Sequence, residues 1–120
     1  MSIVSHYSNI SAYITRDGSE IRELMHPDSQ GSRNQSLAEA TVHPGDSTRL
    51  HRHLKSEELY YITQGTANMQ MDDEFIKVTS GDCICIPPGT LHSIENTGEV
   101  DIKILCCCSP AYSHDDTELM

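Results

Sequence analysis

Turn-forming clusters cut the 120 residues at short, even intervals, and the runs between them alternate apolar with polar side chains or are rich in β-branched residues. Helix signals are scarce. The breaks fall at Arg16-Asp17-Gly18-Ser19, His43-Pro44-Gly45-Asp46, Gln64-Gly65, Asp72-Asp73-Glu74, Ser80-Gly81-Asp82, Pro87-Pro88-Gly89 and Asn96-Thr97-Gly98. They predict strands over residues 10–15, 21–25, 35–42, 50–53, 58–63, 67–71, 75–79, 83–86, 92–95 and 100–107, with a loop over 26–34. Evenly spaced short strands of this kind, the last eight above all, predict an all-β fold that closes as an antiparallel jelly-roll barrel. The length suits one domain over residues 1–120, with no linker or repeat. The acidic tail, 113–120, is expected to be mobile.

Alternation also proposes what faces inward. Ala67, Met69 and Met71 share one face of their strand, as do Ile76 with Val78 and Ile102 with Ile104, so these sets should line the barrel. With no Trp and a single Phe, the core must come from Ile, Leu, Val, Met and Cys. Cys83 and Cys85 alternate with Ile84 and Ile86, and Cys106, Cys107 and Cys108 end a strand-like run. Their number is odd, which favours buried or partly buried free thiols over disulfides, with a redox or zinc role as the lesser reading. Over 35–40, Gln35, Leu37 and Glu39 alternate with Ser36, Ala38 and Ala40, and either set can face in.

Two segments look like halves of one metal site. His51 and His53 stand two apart, so on a strand both imidazoles point to one face. Glu58 lies five residues beyond His53, which requires a turn over 54–57. His92 arrives after Pro87-Pro88-Gly89 and alternates with Ser93 and Glu95, which turns it inward with Ile94. Three imidazoles and a carboxylate suit one divalent transition-metal ion per chain, zinc, iron, nickel or manganese, better than calcium. Tyr60, two residues after Glu58, should point inward beside the ion as a candidate catalytic hydroxyl, or pack as an ordinary core tyrosine. His6, His26, His43 and His114 lack partners at ligand spacing and read as surface residues. Arg22, Arg33 and Arg49 are candidate anchors for an anionic substrate, although most single arginines are solvated.

Gly45, five residues, His51-x-His53, Glu58 and Gly65 resemble the first cupin motif. Gly81, five residues, Pro87-x-Gly89, His92 and Asn96 resemble the second. Every position is filled, and the chain is identified as a small single-domain cupin, loosely like the sugar-phosphate-isomerase type. The resemblance implies a double-stranded β-helix in which His51, His53, Glu58 and His92 carry the metal. It prefers Glu58 over Glu57, because six residues separate Glu58 from Gly65.

The net charge of −10, with eight Lys and Arg against eighteen acidic residues, argues against nucleic acid as a partner. No apolar stretch approaches the ~20 residues of a membrane span, and the start lacks signal-peptide character, so a cytoplasmic protein is expected. The partners expected are a small-molecule ligand and a second copy in a homodimer, in which the run 10–15 can pair with the other chain's sheet. Two functions remain open. One is metal-dependent isomerisation, decarboxylation or dioxygenation of a small oxygenated metabolite of sugar or carboxylate type; the other is non-enzymatic binding of such a molecule.

Overall fold

The computed structural model describes all 120 residues. They form β1 (Tyr13–Ile14), β2 (Glu20–Met25), β3 (Ser36–Val42), β4 (His51–His53), β5 (Glu57–Gln64), β6 (Thr66–Met71), β7 (Glu74–Thr79), β8 (Cys83–Ile86), β9 (His92–Asn96), β10 (Ile102–Ser109) and β11 (Thr117–Leu119), with two short 3-10 turns. One antiparallel sheet runs β1-β2-β3-β10-β5-β8 and the other β11-β4-β9-β6-β7. Together they make the expected jelly-roll barrel. No helix is long and apolar enough to cross a membrane.

Strand alternation builds the core. In β5, Glu58, Tyr60 and Ile62 are buried while Leu59, Tyr61 and Thr63 are exposed. In β10, Ile102, Ile104, Cys106 and Cys108 are buried in the same way. Ile62, Met69, Ile86, Ile94, Ile102 and Ile104 lose essentially all contact with solvent, each contributing about 1.5–3 kcal/mol from burial.

The motif residues that are not candidate ligands hold the corners. Gly65 alone joins β5 to β6, which lie in different sheets. Its φ is +92°, and a Cβ there would stand 3.0 Å from the Asp101 carbonyl oxygen and 3.1 Å from Ile102 Cα. No other residue fits. Asn96, buried at the end of β9, donates from Nδ2 to the carbonyls of Val42 (2.9 Å) and Val100 (2.8 Å) and accepts the Gly98 N–H on Oδ1. The Gly89 N–H reaches back to the His53 carbonyl at 2.7 Å, fastening the second motif's turn to the first motif's strand.

Four expectations are corrected. The tail is not loose: Ser113 caps a turn over His114–Asp116, and β11 then pairs with β4, Thr117 facing His53 and Leu119 facing His51. The Asp116 carboxylate accepts the Lys55 and Ser56 N–H groups at 2.8 and 3.0 Å, so the tail also fixes the β4–β5 turn. Cys83 and Cys85 are exposed, because β8 turns Ile84 and Ile86 inward and leaves the alternate positions outside at the sheet edge. Cys106 and Cys108 are buried free thiols. His26 is buried rather than superficial. Its Nδ1 accepts the Asp28 N–H and its Nε2 donates to the Tyr112 carbonyl at 2.7 Å, tying the 26–34 loop to the tail. The run 10–15 condenses to the two residues of β1, which pair with β2 at one edge of the larger sheet.

Candidate metal centre

His51, His53, Glu58 and His92 converge from three strands. β4 and β9 are antiparallel neighbours with His51 directly opposite His92, and His53 follows on the same face. Glu58 approaches from β5, across the barrel in the other sheet. The imidazoles of His51 and His92 lie 4.2 Å apart between ring centroids. One nitrogen from each of the three histidines falls within 4.8 Å of the others, a cluster that can hold a metal ion. Glu58 Oε1 stands 3.1 Å from His53 Nε2 and 3.4 Å from His92 Nε2. All four residues are buried.

The outward hydrogen bonds fix how each ring presents itself. His51 Nδ1 donates to the Arg49 carbonyl at 2.7 Å, and His92 Nδ1 donates to the Thr90 carbonyl at 2.9 Å. A carbonyl can only accept, so both Nδ1 atoms carry the proton and both Nε2 lone pairs point to the centre. His53 reaches the same state through the tail. Thr117 Oγ1 donates its own proton to the Ser113 carbonyl (2.9 Å), so it can only accept from His53 Nδ1 at 3.0 Å. Outer bonds of this kind orient metal-ligating imidazoles and raise their basicity.

What they surround lacks a partner. Glu58 Oε1 and His92 Nε2 are buried without any hydrogen bond, a costly arrangement unless a cation or proton stands between them. Burial raises the Glu58 carboxyl, but hydrogen bonds and charge from the His53 and His92 rings, whenever those rings carry a proton on Nε2, outweigh it and hold it down to about 2. Glu58 is therefore an anion. Burial, followed by the charge of neighbouring His92, lowers the His51 pKa. Three imidazole nitrogens and one carboxylate oxygen fit a borderline divalent ion.

His51, His53 and Glu58 of the centre line a cleft that opens to solvent. Tyr60 lines it, its ring edge-on to His92 at 6.0 Å. Burial and the charge of Glu58 push its phenol well above the ordinary range. Of the two faces of β3, the small one lines the cleft: Ser36, Ala38, Ala40 and Val42. No arginine reaches it. Arg22 lies over the Tyr7 ring and donates to the Ile10 carbonyl, and Arg49 donates to the Met120 carbonyl.

Sequence reasoning missed two neighbours of the centre. Asp17, read there only as part of a turn, places Oδ2 3.6 Å from His51 Nε2. Cys108 donates its thiol to Glu58 Oε2 at 3.4 Å, and burial raises its pKa. Alternation along β10 was the signal for Cys108; nothing in a four-residue turn signals Asp17.

A family profile described as a cupin domain matches residues 38–108, more than half of the chain and all of both motifs. The chain is a cupin. An uncharacterized protein of Methanocaldococcus jannaschii is 53% identical over 118 residues, covering 98% of this cupin and 94% of the relative. The oxalate-binding protein of Thermotoga maritima is 30% identical over 72% of this chain and 71% of its own. Among solved structures, the polyketide cyclase RemF of Streptomyces resistomycificus superposes with a TM-score of 0.79 and 25% identity, over 91% of this chain and 80% of that one.

Proposed function

We propose that this cupin is a metal-dependent enzyme acting on a small oxygenated metabolite of sugar or carboxylate type. His51, His53, Glu58 and His92 would hold one divalent ion of zinc, iron, nickel or manganese. The observation that carries the reading is the set of three imidazoles, each tied back through Nδ1, with the His53 and His92 Nε2 atoms 3.1 and 3.4 Å from a buried Glu58 oxygen that has no partner, beside a cleft open to solvent. A bound ion would supply Lewis acidity, or with iron the chemistry of O2, to isomerisation, decarboxylation or dioxygenation.

The chain's own groups do the rest. Tyr60 keeps its proton at neutral pH, so its hydroxyl can donate a hydrogen bond to a substrate oxygen. Ala40, Val42, Ile94 and Ile104 give the cleft aliphatic walls that exclude water from one side of the substrate. Cys108 steadies Glu58 through Oε2 and leaves Oε1 free to face the imidazoles. The test is turnover of candidate hydroxy acids and hydroxy ketones by metal-loaded and metal-stripped protein, with and without O2. Turnover that depends on metal supports the reading. A second reading, binding without turnover, is favoured by the name of the Thermotoga relative, and ligand retention without product would establish it.

The protein is proposed to work in the cytoplasm, whose reducing conditions suit five free thiols, and to do so as a homodimer. The outer face of the larger sheet carries a cross-strand row Leu37-Cys107-Leu59-Cys85, with Leu105-Tyr61-Cys83 beside it ending at Glu39. Seven uncharged neighbours on a chain of net charge −10 make a surface that a second copy would cover.

A further inference from the structure

Asp17 sits where a ligand's hydroxyl would be received. The turn Thr15–Ser19 is closed by the Gly18 N–H on the Thr15 carbonyl and the Thr15 N–H on the Ser19 carbonyl, with Gly18 at φ +93°. Arg49 N–H donates to the Asp17 carbonyl at 2.7 Å, which fastens this turn beside the strand that bears His51. Within the side chain the two oxygens differ. Oδ1 accepts both the Ser19 N–H (2.9 Å) and the Ser19 hydroxyl (2.7 Å). Oδ2 points at His51 Nε2 from 3.6 Å. Since His51 Nδ1 carries that ring's proton, Oδ2 and Nε2 are two acceptors facing each other with no hydrogen between them.

The rest of the cleft sharpens this. It is lined by three acidic residues, Asp17, Glu23 and Glu58, and by no lysine or arginine. A dianion entering it meets only carboxylates and neutral groups besides the ion, whereas a hydroxyl finds an acceptor already aligned. Resting on the metal-site reading above, we propose that the cleft selects α-hydroxycarbonyl compounds, hydroxy acids or hydroxy ketones, over dicarboxylates, and that Asp17 Oδ2 receives their hydroxyl proton in a hydrogen bond. This sets the protein apart from an oxalate binder: the residue that favours the hydroxyl donor is the one that repels a second carboxylate. Glu58 faces His53 and His92, Asp17 faces His51, and together they flank the centre with negative charge on two sides.

The experiment uses cobalt(II)-loaded protein, whose visible spectrum reports ligands reaching the ion, titrated with glycolate and with oxalate, two probes of similar size. The oxalate-to-glycolate affinity ratio is compared with that of free cobalt(II) in the same buffer. In the wild type the ratio is expected to move toward glycolate by roughly tenfold or more. Asp17→Asn keeps the Oδ1 acceptor for Ser19, so the turn survives, and it is expected to return the ratio most of the way to the free-ion value. A turn-stabilising role alone would leave that ratio untouched. A wild-type ratio equal to the free ion's overturns the proposal even if the variant fails to fold, and so does an unshifted ratio in folded Asp17→Asn. Failure to take up cobalt at all shows in the spectrum before any probe is added. That result would sink the metal site and this inference together, whereas cobalt uptake with an unselective ratio sinks only this one.

Discussion

Thr117→Val removes the one oxygen through which the tail orients His53. The hydroxyl donates to the Ser113 carbonyl at 2.9 Å and accepts from His53 Nδ1 at 3.0 Å, and valine fills the same volume without doing either. Leaving a buried Nδ1–H without an acceptor costs about 1–3 kcal/mol. The ring has one escape: it can move the proton to Nε2 and donate to Glu58 Oε1, 3.1 Å away. That shift relieves the metal-free protein but withdraws the lone pair that a metal needs. The stability loss of the metal-free form should therefore stay near the low end, about 1 kcal/mol, while metal affinity falls by roughly 10–100-fold, as when the outer partner of a ligating histidine is lost. Competition against a chromophoric chelator at neutral pH measures the affinity, and urea unfolding of stripped protein measures the stability. Thr117→Ser should behave as wild type. Unchanged metal affinity in folded Thr117→Val would refute the orienting role of the tail.

Tyr60→Phe should leave folding and metal content intact and lower turnover by about 10²–10³ if the phenol donates a hydrogen bond to the reacting oxygen; full activity in steady-state assays would reduce Tyr60 to a wall residue. Metal-free protein should lose stability toward acid in two stages. His51 has a lowered pKa in the fold, so its contribution is present above the unfolded value near 6.5 and fades below it; Glu58, held down to about 2, loses its contribution as pH falls from about 4.5 toward 2. Metal affinity should fall steeply below about pH 6 as protons compete for three imidazoles. Urea midpoints and chelator titrations that stay flat from about pH 7.5 to 5 would contradict both statements. Leu59→Glu, which puts a charge in the middle of the apolar rows on the outer sheet face, should convert a homodimer to a monomer in sedimentation; a wild type already monomeric would remove that proposal.

Much of this was written in local pattern. Two-residue periodicity placed Glu58, Tyr60 and Ile62 on the buried face of β5 and His51 with His53 on one face of β4, because alternation is enforced wherever a sheet has a dry side. Features that depend on distant pairing were illegible. The tail Ser113–Met120 is polar and short, and nothing in it announces that Thr117 will face His53, sixty-four residues earlier. Asp17 reads as a turn residue because it is one; only the docking of that turn against Arg49 brings its free oxygen to His51. Ser36 and Ala38 could not be told from Gln35 and Leu37 as the inner face, since neither set is strongly apolar. Cys83 and Cys85 failed the opposite way, being apolar enough for a core yet placed outside by the two isoleucines between and beyond them.

The reading proposed above rests on His51, His53, Glu58 and His92 holding one divalent transition-metal ion with nitrogen and oxygen donors. X-ray absorption at the metal edge of the purified protein tests it most directly. About one ion per chain is expected, with a first shell of nitrogen and oxygen at about 2.0–2.2 Å, imidazole scattering, and no sulfur at about 2.3 Å despite Cys106 and Cys108 in the same cleft. A sulfur shell, or a purified protein that binds no transition metal, would contradict it.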